Sequence, residues 1–161
     1  MTGIVVSDAS PLHYLILVGA VDYLPRLFEQ VIIPSAVAAE LTRPNTPPLV
    51  SRWTSQPPSW LKIVRPQAVD RSLNLDAGET EAISLALELG VDSILIDERK
   101  GRLVAAQRGL LLIGTIALLE RFAREGWIDF DQTIAHLRAA KFRLNERLVT
   151  EAKKRLEDAR P

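Results

Sequence analysis

The stretch Ile4-Val5-Val6-Ser7-Asp8-Ala9-Ser10-Pro11 constrains the fold more than any other part of the chain. A β-branched run stops at a carboxylate, and a serine and a proline follow closely. Restricted χ1 freedom makes Ile4 to Val6 a strand rather than a helix. Ser10 is suited to cap a helix, and Pro11 suits a first turn, where its missing N–H would have had no partner. Asp8 thus falls at the carboxyl end of a strand, on the turn into a helix, the edge where ligands bind in open α/β sheets. A turn aspartate satisfying local amides has the same signature. The pattern then recurs: Ser93-Ile94-Leu95-Ile96 ends at Asp97, with Glu98 and a helix from Arg99 to Gln107 behind it.

Between these two points the alternation continues. A helix is expected from Ser10 to Gly19 and a shorter one from Val21 to Phe28. Val31 to Ile33 forms the next strand, and Ser35 to Leu41 a helix with Val37 and Leu41 inward and Glu40 on the flank of that face. The span 42–75 is proline-rich and carries Trp53 and Trp60. It is expected to leave the core and pack back on it, with a short helix over Leu49–Ser55 and a short strand over Leu61–Val64. A middle helix runs from Asp76 to Gly90. Asp76 and Glu79 have capping-box spacing, yet the face through Glu79, Ala82, Ile83 and Ala86 is small and apolar, which points Glu79 inward and leaves Glu81 nearer the rim. Leu110 to Ile113 is a further strand, and Gly114-Thr115 turns into a helix through Glu125. Strands separated by helices predict an α/β fold: a three-layer α/β/α arrangement around a central parallel sheet of four or five strands. The domain is expected over 1–126, with 127–161 a C-terminal helical extension, about Asp131–Ala140 and Glu146–Ala159, packed on it.

Composition narrows the function. The 161 residues suffice for one domain, and the chain has no cysteine, which excludes disulfides and thiolate metal sites and fits a reducing compartment. No signal peptide and no membrane span are expected, so the expected location is cytoplasmic. Net charge is zero. From Arg138 to Arg160 eight Lys/Arg face four acids, a surplus that reads as a solvated helix face before it reads as a phosphate-binding surface.

Four acids have reason to meet: Asp8 and Asp97 at strand ends, Glu40 and Glu79 on helices packed beside them. Carboxylates gathered in one cleft raise one another's pKa. A divalent cation relieves the repulsion, and all-oxygen ligation suits Mg²⁺ or Mn²⁺. His13 and His136 have no ligand partner at helical spacing, and no Ser-His-Asp order or Gly-rich phosphate loop is present. Metal-assisted hydrolysis of a phosphodiester is the chemistry left. Ser10 and Thr115 are candidates to orient a water or bind phosphate, with helix capping as their structural alternative. Arg99, Lys100 and Arg102 are candidates to meet a nucleic-acid backbone, with surface solubility as theirs.

Val-Val-Ser-Asp8, Glu40 in Ala-Val-Ala-Ala-Glu-Leu, Glu79 in Leu-Asp-Ala-Gly-Glu-Thr-Glu-Ala-Ile, Asp97 in Leu-Ile-Asp-Glu-Arg and Gly114-Thr115 together resemble the motifs of PIN-domain nucleases over roughly Ile4 to Gly126. The resemblance implies a PIN-like fold and a Mg²⁺- or Mn²⁺-dependent ribonuclease with Asp8, Glu40, Glu79 and Asp97 as catalytic and metal-holding residues. It further implies an RNA substrate and often the toxin role in a prokaryotic toxin–antitoxin pair, with an antitoxin partner and a homodimer. Here Glu79 stands where VapC-like toxins usually carry aspartate, and Asp76 and Glu81 are the alternatives for that ligand. Two other functions compete: a catalytically silent PIN-like module that binds a protein partner, and a phosphoacceptor using Asp8. The second lacks an acid two residues on, where Ser10 stands.

Overall fold

The computed structural model describes residues 3–161; Met1 and Thr2, which begin the expected domain, lie outside the described residues. Five strands, β1 (Ile4–Ser7), β2 (Gln30–Pro34), β3 (Leu61–Val64), β4 (Ser93–Leu95) and β5 (Leu111–Ile113), form one sheet in the order β3-β2-β1-β4-β5. Every pairing is parallel. Strands buried on both faces need continuous apolar runs, and Val5, Val6, Val31, Ile33, Ile94 and Leu95 supply them.

The helices divide between the two faces. On one, α1 (Ala9–Leu17), α3 (Pro48–Ser55), α6 (Thr115–Arg124), α7 (Phe130–Ala139) and α8 (Glu146–Asp158) enclose the larger core with Val5, Val31, Ile33 and Leu95. On the other, α4 (Ala77–Leu89) and α5 (Arg99–Gln107) pack on Val6, Ile32, Ile94 and Ile96 through Ala82, Ile83, Ala86 and Ala105. The small alanines let α4 lie close to the sheet. The short α2 (Ser35–Glu40) leaves the end of β2 at the sheet's carboxyl edge. This is the expected three-layer α/β/α arrangement.

Several boundaries moved for local reasons. Helix α1 begins at Ala9 with Asp8 in the extended N-cap position, so Ser10 lies inside the first turn and its hydroxyl is released for another partner. The segment after it winds as a 3₁₀ turn, Val21–Arg26, with Pro25 inside; proline lacks the N–H that a longer α-helix would need there. The proline-rich span does pack back: Trp53 and Trp60 meet with ring centroids 5.7 Å apart and lie against the larger core.

The order β3-β2-β1-β4-β5 reverses direction beside β1. Chain leaving β1 goes to β2, whereas β4 arrives on β1's other side, and the crevice at this switch point opens at the carboxyl ends of both strands. The Asp8 N–H donates to the Leu95 carbonyl at 2.9 Å, continuing the β1–β4 ladder by one residue. Asp8 is thereby pinned at the crevice.

Candidate active site

Three elements bring acids to this crevice. Asp8 follows β1, Glu40 ends α2, and Glu79 lies in the first turn of α4. Gly78 marks where they gather: a Cβ there would stand 3.2 Å from Glu40 Oε2, 3.4 Å from Asp8 Oδ1 and 3.6 Å from Asp76 Oδ1. A side chain at this position would press on three carboxylates. Gly101 serves Glu79 in the same way, for its Cβ would lie 3.2 Å from Glu79 Oε1 and 2.8 Å from Ile96 Cδ1. Only glycine lets α5 approach so closely without displacing a neighbour.

A cavity of about 520 Å³ opens here, lined by Asp8, Ala9, Ser10, Glu40, Asn74, Leu75, Asp76, Glu79, Glu98 and Lys100. Asp8 and Glu79 are each only 5% exposed, and the charged form of a carboxyl is costly where water is scarce. Burial, and then repulsion from Glu79, Asp76 and Glu40, push the Asp8 carboxyl up to about 7 against the favourable pull of the Ala9 amide. Burial first, with Asp76, Glu98 and Glu40 adding repulsion, pushes Glu79 to about 7 as well. Glu40 is raised by burial and by Asp76, with Arg43 opposing.

Asp97 occupies a different place. It does not line the cavity; it sits behind Ser10 and is held through both oxygens. Oδ1 accepts the Thr115 N–H at 2.7 Å, while Oδ2 accepts the Thr115 hydroxyl at 2.6 Å and the Ser10 hydroxyl at 2.9 Å. Asp97 therefore ties α1 and α6 together beneath the wall. Thr115 is fully buried, so its hydroxyl faces Asp97 and not the cavity. Arg102 Nη1 donates to the Ile96 carbonyl at 2.8 Å, closing the turn after β4. Arg99 is exposed and outside the cavity lining, whereas Lys100 is in it.

The two alternatives for the Glu79 position separate cleanly. Glu81 Oε1 accepts the Ser35 hydroxyl and the Ala36 N–H, each at 3.0 Å, so its carboxylate holds the start of α2. Asp76 Oδ1 accepts the Glu79 N–H at 2.8 Å, half of the anticipated capping box, and still borders the cavity. Four residues of the wall were not singled out from sequence: Ala9, which follows Asp8 directly, and Asn74, Leu75 and Glu98. Glu98's adjacency to Asp97 was the available signal. Asn74 and Leu75 had none, because their position depends on how the proline-rich span returns.

The donor set, carboxylates only, fits a hard divalent cation. As the side chains stand, no three His, Cys, Asp or Glu among the described residues converge closely enough to hold one ion.

Among the described residues no helix is long and apolar enough to cross a membrane. A family model described as a PIN domain matches residues 4–158, running beyond Gly126 through α7 and to the end of α8. No curated protein matches the chain. With an all-parallel three-layer sheet, and acids at its switch point, this chain belongs to the PIN-domain family.

Proposed function

We propose that the protein is a metal-dependent endoribonuclease, with Mg²⁺ or Mn²⁺ as its ion and the toxin role of a toxin–antitoxin pair as its setting. Membership of the family carries the coarser statement, since PIN domains are nucleases that typically use divalent metals. The observation that carries the finer one is the gathering of Asp8, Glu40 and Asp76 about Gly78, beside Glu79, in a cavity at the sheet's switch point. Carboxylates raised to about 7 are groups awaiting a positive partner.

Asp8, Glu40 and Glu79 would hold the ion, with Asp76 beside them. A bound divalent ion supplies a water of lowered pKa and neutralises charge on the phosphodiester. Asp97, fixed by Ser10 and Thr115, is a positioning residue that keeps the first turn of α1, and with it Asp8, in register. Below about pH 7 Asp8 and Glu79 keep protons in the ion-free site, where a loaded site would hold positive charge. The toxin role, the antitoxin partner, a homodimer and a cytoplasmic setting are supported by the likeness of the acidic motifs to VapC-like toxins and by the absence of cysteine. Purified protein with Mn²⁺ should cleave RNA above an Asp8→Asn control; equal cleavage by the two sinks the reading.

A second reading is favoured by one observation: no three acids already converge on a single ion position. On this reading the protein is a catalytically silent module that binds a protein partner. Titrating Mg²⁺ or Mn²⁺ while following the melting temperature separates the two, because an ion that binds the folded state raises it and one that does not bind leaves it alone.

A further inference from the structure

Five carboxylates line the cavity: Asp8, Glu40, Asp76, Glu79 and Glu98. A nucleic acid brings still more negative charge, and like charges at such distances repel by kilocalories even under partial solvent screening. A cavity that accepts a phosphodiester must therefore also present donors. Three side chains of its wall carry them: Ser10, Asn74 and Lys100. The Ser10 hydroxyl is taken by Asp97. Among the described residues, the Asn74 amide has no hydrogen-bond partner and the Lys100 ammonium no ion-pair partner.

Asn74 is also held in place with unusual care for an exposed residue. It closes the short turn Arg71–Leu73 in the left-handed conformation, φ 57° and ψ 45°, which asparagine tolerates better than other side-chain-bearing residues. The strap leading to it is anchored repeatedly. Glu88 accepts the Gln67 and Ala68 N–H groups, Ser84 accepts the Asp70 N–H, Arg108 donates to Asp70, and Leu73 is buried among residues of the smaller core. A tethered strap thus ends at an asparagine in the wall of an acidic cavity. A turn-forming role explains its backbone and leaves its amide available to a ligand.

We propose that Asn74 and Lys100 hold the RNA phosphodiester in this cavity, Asn74 donating its amide N–H groups to phosphate or ribose oxygens and Lys100 supplying the charge. The proposal rests on the nuclease reading and names the residues that bind its substrate.

The test uses a fluorescein-labelled single-stranded oligoribonucleotide with Mg²⁺, bound by the full chain in an Asp8→Asn background. Asn74→Gly keeps the left-handed backbone without strain and removes only the amide. It should melt within about 2 °C of its parent and bind about ten-fold more weakly, the loss expected for one hydrogen bond to a charged group. Asn74→Asp, which replaces donors by a charge, should bind more weakly still. Lys100→Ala should lose about ten-fold and flatten the salt dependence by about 0.7 in logarithmic slope. With Asp8 restored, Asn74→Gly should raise KM for RNA cleavage and change kcat less than about three-fold, the pattern of lost uniform binding. Unchanged RNA binding by Asn74→Gly overturns the role of Asn74, and an unchanged salt slope for Lys100→Ala overturns that of Lys100. No RNA binding by the parent overturns both. Failure of the nuclease reading looks different: cleavage never exceeds the Asp8→Asn control, while the binding comparison still decides these two residues.

Discussion

Asp8 and Glu79 are pushed to about 7 from 3.8 and 4.5, the values they keep in an unfolded chain. Between pH 4 and 7 the unfolded state has released these protons and the folded state has not. The stability they contribute is therefore full below about pH 4 and lost as pH rises through 7. The ion-free protein should lose on the order of 2 kcal/mol between pH 5 and 8, less than two independent shifts would cost, because the two carboxylates share one mutual repulsion. Urea unfolding across that range checks this; a flat profile would contradict it. Asp8→Asn should flatten the profile, and Mg²⁺ should raise the melting temperature more at pH 8 than at pH 5. Thr115 makes a second residue-scale prediction. Thr115→Val keeps the shape and removes the hydroxyl that meets Asp97 at 2.6 Å, so it should cost about 1–2 kcal/mol and lower nuclease activity by loosening α1. Asp8 was legible in the sequence because the strand, the carboxylate and the turn are consecutive. The clasp on Asp97 was not, because Ser10 and Asp97 are 87 residues apart and a hydroxyl's partner depends on where α1 begins.

Among the elements, α2 is the least self-sufficient. A helix this short cannot sustain itself on propensity, and its opening amide and Ser35 hydroxyl are held from outside by Glu81. Since α2 ends in Glu40, α4 positions two acids: its own Glu79 and, through Glu81, the helix that presents Glu40. Glu81→Ala should therefore destabilise the protein by about 1–2 kcal/mol, whereas Glu81→Gln, which retains an acceptor, should keep most of the stability and of the proposed RNA cleavage. Loss of cleavage by Glu81→Gln as complete as that of Asp8→Asn would instead make Glu81 an ion ligand. The elements themselves were readable from periodicity and from the Gly and Pro punctuation, and the inward face of α4 was readable from its alanines. The 65–76 strap was not, because it has no period of its own. Its course is set by single hydrogen bonds to Glu88, Ser84 and Arg108.

For the molecule as a whole, the C-terminal helices are part of the fold. Glu120, 9% exposed on α6, accepts Arg155 of α8 through both oxygens at 2.7 and 3.0 Å, with Arg124 at 3.2 Å. Val149 and Ala152 close the larger core beneath that contact. A chain ending at Ala140 would leave Glu120 without its partner on α8 and the core uncovered. It should melt at least about 10 °C lower or without cooperativity, as circular dichroism would report. Equal melting of the two chains would make α8 an appendage.

The strand order has a consequence in time. Asp8, Glu40 and Glu79 are all synthesised before β4 exists, yet the switch-point crevice requires β4 beside β1 and Asp97 behind Ser10. At 5–20 residues per second, the 87 residues separating Ser10 from Asp97 take roughly 4–17 s to make. During that interval a nascent chain carries Asp8, Glu40, Asp76 and Glu79 but no assembled cleft, so on the proposed ribonuclease reading a growing chain would spare the messenger that encodes it. Ribosome-bound chains stalled before Ser93 should leave a labelled RNA intact under conditions in which the released protein degrades it.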